Sequence, residues 1–376
     1  MSKILIKTVG SIPPELRLLG YRDFARWDYF IYYLGRRHKI VKVLNDFLPQ
    51  PYRFYHAFRN FSPNISEWAK KYLTKNTWSF VKHSEICEDK IRKLRDEIDI
   101  VLQLGCLSSP YVSHAIRPYY LYIDSTAKMD QSENPNSQFR SVGERDQWIM
   151  LEKMVYRNAE KVFTMSEYTK GSLLVDYGIR EAKVATVYAG ANFYEIPDFD
   201  KYYDKNIILF VGKDFHRKGG FTVLRAFKEV KKHVKNATLF IVGCRPKIRD
   251  PNVTVKGAVL GRDELKRLYR AASVFVMPSL YEPFGFVFLE AMAHKLPCIG
   301  STKNAMPEII EDHQTGFLIP PSDHKALANR LIFLLRNNSV MKEMGEKGWR
   351  RVKEMFTWEE VVSRMTKDLE KSCARI

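Results

Sequence analysis

No apolar stretch of the 376-residue chain approaches the roughly 20 residues that a membrane span needs. The opening MSKILIK lacks the apolar core of a signal peptide, since Lys7 interrupts it early. The five cysteines (Cys87, Cys106, Cys244, Cys298, Cys373) are odd in number, scattered and never spaced Cys-x-x-Cys. That pattern suggests neither a disulfide framework nor a zinc site. No repeat, low-complexity run or Gly-x-Gly-x-x-Gly dinucleotide fingerprint is present. These absences predict a cytoplasmic globular protein, long enough for two domains that each bury a core.

What the chain has in excess is positive charge, +18 overall. Residues 1–95 hold 19 Lys and Arg against 8 Asp and Glu, whereas residues 96–200 hold 10 against 16. The basic quarter is also aromatic. Tyr29, Phe30, Tyr32 and Tyr33 precede Arg36, Arg37 and Lys39, and Tyr52, Phe54, Tyr55, Phe58 and Phe61 alternate with Arg53 and Arg59. Such a patch suits an anionic membrane surface, a phosphorylated acceptor or nucleic acid.

Apolar periodicity predicts strands at 3–8, 40–44, 98–104, 119–123, 161–165 and 183–188, with helices near 15–34, 66–73, 144–158 and 167–177. Residues 192–205 break the alternation and read as a linker. A second series follows, with strands at 207–211, 238–242, 253–255, 273–277 and 316–319. Its helices are at 220–233, 262–271, 284–294 and 325–335. Strands alternating with helices imply an α/β fold of two Rossmann-like, doubly wound domains. The expected division is 1–195, 196–357 and a closing helix from 358.

The stretch PSLYEPFGFVFLEAMAHK, residues 278–295, organises the second half. It reads as a turn after a buried strand, then a helix opening at Gly285. Helix-start N–H groups and the helix dipole favour an anion there. Glu290 is a charge inside an otherwise apolar helix, costly unless partnered. Taken alone, that pattern fits an ion pair with a neighbouring Lys or Arg as well as a ligand site. Upstream, FVGKDFHRKGG, residues 210–220, is a strand end, a basic loop and a Gly pair before a helix, where N–H groups and cations converge.

Glu282, Phe284, Gly285, Glu290 and Pro297 together resemble the Glu-x7-Glu signature of the retaining glycosyltransferases of family 4. The resemblance implies the GT-B arrangement, with a nucleotide diphosphate-sugar as substrate, no cofactor and no essential metal. It implies that Glu290 accepts from ribose hydroxyls, that Glu282 contacts the transferred sugar, and that backbone around Phe284, Gly285 and Phe286 holds sugar and phosphate. The loop resembles the family's Gly-Arg…Lys-Gly run: Gly212 and Lys218 match, Lys218 as the diphosphate-binding lysine. Lys213 stands where the family has arginine, with Arg217 as compensating or merely solvated. On the acceptor side the matching positions are Gly10, Asp124, Ser166 and Asn192. Asp124 reads equally as a sugar or acceptor contact and as a turn or cap residue. Residues 304–308 lack the family's glycines, which leaves Glu308 a structural role. Asp198 and Asp200 mimic a metal motif by chance.

The implied activity is transfer of a hexose to a polar or lipid-linked acceptor, at an inner membrane face or in the cytoplasm. A sugar phosphorylase of the same architecture is the nearest alternative. A nucleic-acid-binding protein on this scaffold is the alternative of another class, disfavoured by the lack of any nucleic-acid module.

Overall fold

A computed structural model describes residues 2–8, 26–45, 48–59, 61, 63, 76–134, 139, 141–259 and 261–373. The expected helix over 66–73, and the expected helical residues 15–25, lie outside them. The described residues fall into two units, one within Met1–Ser132, Asn136–Val187 and Val362–Ile376, the other within Glu133–Pro135 and Tyr188–Val361.

In the first unit the order is β1 (Lys3–Thr8), α1 (Arg26–Arg37), β2 (Lys39–Asn45), α2 (Gln50–Arg59), α3 (Thr77–Arg92), β3 (Ile100–Leu104) and β4 (Tyr119–Ile123). Then come α4 (Ala127–Glu133), α5 (Val142–Asn158), β5 (Lys161–Thr164), α6 (Glu167–Val175) and β6 (Val184–Thr186). The sheet runs β2-β1-β3-β4-β5-β6, and every pairing is parallel. All five residues of β3 and of β4 are buried, as parallel strands covered on both faces require. Phe80 of α3 meets Trp148 of α5 edge-on at 5.1 Å beneath that sheet.

The second unit comprises β7 (Ile207–Val211), α7 (Gly220–His233), β8 (Thr238–Val242), β9 (Val253–Gly257), α8 (Arg262–Ala271), β10 (Val274–Val276) and α9 (Phe286–Ala293). It continues with β11 (Cys298–Ser301), α10 (Met306–Ile309), β12 (Gly316–Ile319), α11 (His324–Leu335), α12 (Asn338–Met355) and the start of α13 (Trp358–Cys373). Its parallel sheet runs β12-β11-β10-β7-β8-β9. Both units are Rossmann-like, yet their strand orders differ: the chain reverses direction across the sheet between β1 and β3 in one and between β7 and β10 in the other. In open parallel sheets, ligands bind outside the carboxyl ends of the strands at such reversals.

Several helices go beyond the sequence expectation, α3 and α12 the longest of them. Residues 77–92 form one long helix opened by Asn76, whose side chain accepts from Ser79 N at 2.8 Å. α12 is obscured in sequence by Gly345 and Gly348, poor helix residues. Packing explains Gly345: a Cβ there would lie 2.2 Å from Lys295 O.

From Val362 onward, α13 belongs to the first unit. Tyr120 Oη donates to Asp368 O at 2.9 Å, and Lys161 Nζ lies 2.8 Å from Asp368 Oδ2.

Candidate active site

In the second unit the loops after β7 and β10 are clamped together. Leu280 N donates to Arg217 O at 2.8 Å. Gly219 adopts φ +78°, and a Cβ on it would stand 2.1 Å from Pro278 O, so only glycine allows this approach. The clamp sets Lys218 against Glu282: Lys218 Nζ donates to Glu282 Oε2. Both side chains are largely buried. Burial lowers the Lys218 pKa, and the Glu282 charge opposes that shift. Arg217 is neither a solvated cation nor aimed outward, since its Nη1 donates to Tyr281 O at 2.7 Å and braces the second loop. Lys213 is exposed, and Gly212 leaves room for Lys218, whose Cγ would be 3.0 Å from an added Cβ.

Gly285, at φ +104°, turns the chain into α9. Phe284 is buried and meets Phe286 edge-on at 5.3 Å. The two rings therefore anchor the helix start, where Phe288 N donates to Gly285 O at 3.0 Å and the N–H groups ahead of it have no acceptor within the helix.

Among the described residues no Lys or Arg forms an ion pair with Glu290. Its Oε1 accepts from Asn192 Nδ2 at 2.8 Å and its Oε2 from the Tyr269 hydroxyl at 3.1 Å. Burial raises its pKa, only partly offset by those two hydrogen bonds and by the more distant Arg262. Asn192, grouped by sequence with the acceptor side, thus lies against Glu290, and its Oδ1 is buried without a hydrogen-bond donor. His294 stacks on Tyr269 at 5.2 Å, with Nδ1 2.8 Å from Glu290 O.

Three residues here escaped the sequence reading. Tyr269 and His294 carry no local mark, being ordinary members of helical segments. Asn304 belongs to the loop that lacks glycines, yet its Oδ1 accepts from Glu282 N at 2.9 Å. Its φ of +53° is a conformation asparagine tolerates better than most residues. Asp198 pairs with Lys295 at 3.0 Å.

In the first unit, Trp27, Tyr122, Asp124, Thr126, Asp130 and Glu152 line a cavity of about 180 Å3 at the carboxyl ends of β3, β4 and β5. Glu152 Oε2 accepts from Ala127 N at 3.0 Å. Ser166 is fully buried and caps α6, accepting from Thr169 N at 3.0 Å, so it is not a lining residue. Gly10 lies outside the described residues. Among the described residues no group of three or more His, Cys, Asp and Glu is placed to hold a metal ion.

The family described as "Glycosyl transferases group 1" matches residues 195–351. An uncharacterized glycosyltransferase of Methanocaldococcus jannaschii is 30% identical over 226 residues, 54% of this chain and 57% of its own length. MMP alpha-(1->4)-mannosyltransferase of Mycolicibacterium hassiacum is 24% identical over 239 residues, 61% of this chain and 58% of its own. The matches thus span little more than half the length of these relatives. Sucrose-phosphate synthase from Thermosynechococcus elongatus superposes with a TM-score of 0.71 at 18% identity, covering 100% of both chains. The fold is that of GT-B glycosyltransferases, and residues 195–351 match the glycosyl transferases group 1 family.

Proposed function

We propose that the chain is a retaining hexosyltransferase of family 4 that moves a sugar from a nucleotide diphosphate-sugar to a polar or lipid-linked acceptor. The observation that carries this reading is the buried Lys218–Glu282 pair at the carboxyl ends of β7 and β10, with Glu290 eight residues on in the helix that starts there.

Lys218 and the first-turn N–H groups of α9 neutralise charge that grows on the departing diphosphate, an interaction strongest in the transition state. Glu282 accepts from hydroxyls of the transferred sugar, its backbone held by Asn304. Glu290 takes the ribose hydroxyls. The buried Asn192 Oδ1 beside it supports that role, because a buried acceptor is costly until a donor reaches it, and a ribose hydroxyl is such a donor. The Asp124 cavity receives the acceptor. In the step itself, the bond from sugar C1 to the diphosphate oxygen breaks and leaves its electron pair on that oxygen. The acceptor oxygen bonds C1 on the same face, and its proton passes to the departing phosphate.

The test is a thermal-shift panel of UDP, GDP and ADP with their sugars. A ligand at about 100 times its Kd stabilises the folded state by about 2.7 kcal/mol. One diphosphate raising the melting temperature, and its sugar being consumed, is the expected result. No shift with any of the three would falsify the reading.

A further inference from the structure

We infer that the outer face of α2 is a docking surface for an anionic lipid bilayer. Phe54, Phe58 and Phe61 are 72%, 82% and 65% exposed. At about 100° per residue, Phe54 and Phe58 stand about 40° apart on one helix face. Phe61 lies just past the helix end, its N–H donating to Phe58 O at 3.0 Å. His56 falls on the opposite side, is buried, and stacks on Trp78 of α3 at 5.6 Å with the rings 9° apart. The helix is therefore held by its inner face and turns its phenylalanines outward. One exposed apolar side chain is ordinary, but two on one helix face with a third just past its end form a patch.

The charge flanking the phenylalanines indicates the partner. Arg59, about 100° round the helix from Phe58, is exposed at its end. Residues 1–95 hold 19 Lys and Arg against 8 Asp and Glu. A second copy docked on this face would set like charge against like. Anionic headgroups instead take up the cations while the rings enter the acyl boundary, as for a helix lying in the membrane plane. No helix among the described residues is long and apolar enough to cross a membrane. The inference goes beyond the transferase reading and stands without it.

Co-sedimentation of the full chain with phosphatidylcholine vesicles, with and without phosphatidylglycerol, at low and raised salt, tests it. Sedimentation only with the anionic vesicles, weakening as salt rises, is expected. Phe54→Ser/Phe58→Ser should cut the partition coefficient at least about tenfold. Arg59→Glu should lower it on anionic vesicles. Unchanged melting temperatures would show that both variants fold. Absence of wild-type binding at low salt, or equal binding by the phenylalanine variant, overturns the proposal. So does a patch-dependent dimer in sedimentation velocity, or patch-dependent binding of a single-stranded oligonucleotide, without vesicle binding.

Discussion

Asn192 Nδ2 lies 2.8 Å from Glu290 Oε1, joining the segment after the first unit to the middle of α9 by a hydrogen bond that needs no cation. A buried carboxyl held by an amide and a phenol is a different object from one neutralised by lysine. Its proton affinity is raised, and its protonation state is coupled to pH.

Glu290 should therefore make the folded state lose stability as pH rises. Its folded pKa lies above its unfolded one, so its contribution is fully present below the unfolded pKa and is lost as pH climbs through the folded pKa. Glu290→Gln keeps the shape and removes the titration. The melting temperature of the variant minus that of wild type should grow from about pH 4 upward and then level off. A difference that stays flat across that range would mean the carboxyl does not titrate in the fold. The same variant should bind the nucleoside diphosphate more weakly.

His294 acts in the opposite direction. Burial is the main cause pulling its pKa down to about 4, and Lys201 and Arg270 add to it. A depressed pKa contributes stability above the unfolded value that is lost as pH falls through the folded one. His294→Gln should narrow the loss of melting temperature between about pH 6.5 and about pH 4. Melting curves in matched buffers measure it.

Lys218→Met should leave Glu282 buried without its cation and destabilise the chain by about 3 kcal/mol, with Glu282→Gln restoring part of that in the double variant. Urea denaturation of the four members of the cycle measures the coupling. In transfer assays, Lys218→Met should lower turnover about a hundredfold, and more than it weakens donor binding, because leaving-group charge peaks in the transition state.

Much of the sheet framework is legible in sequence, because buried parallel strands such as 207–211 and 119–123 are unbroken apolar runs bounded by turn residues. Lys218 and Glu282 stand out for the same kind of reason, as charges at strand ends beside glycines. Tyr269 and Asn304 do not, since nothing near them in sequence marks the residues they meet. Tyr269 reaches Glu290 across 21 residues, and Asn304 reaches Glu282 across 22. Those pairings depend on how β10, α9 and β11 stack, which local pattern does not encode. Arg217 was ambiguous because a loop arginine looks the same in sequence whether it faces water or a carbonyl.

Gly219→Ala should be among the more damaging single changes. The residue sits in the left-handed region, and the new methyl would strike Pro278 O. A cost of roughly 2 kcal/mol or more is expected, together with lost donor affinity as the Lys218 loop lifts from its partner. Gly261→Ala, with nothing within 4 Å of an added Cβ, is the control. Equal melting temperatures for the two variants would contradict the clamp.

The last helix has a consequence for the order of synthesis. Apart from the short piece at 133–135, the second unit is one continuous stretch ending at Val361, whereas the first takes its final residues, including Asp368, from the end of the chain. A ribosome emits the residues from Val362 onward only after the second unit, so the unit whose synthesis begins first is the one completed last. Until then Lys161 and Tyr120 await their partner. A chain truncated shortly after Val361 would leave the later-made half whole and the earlier-made half missing a wall.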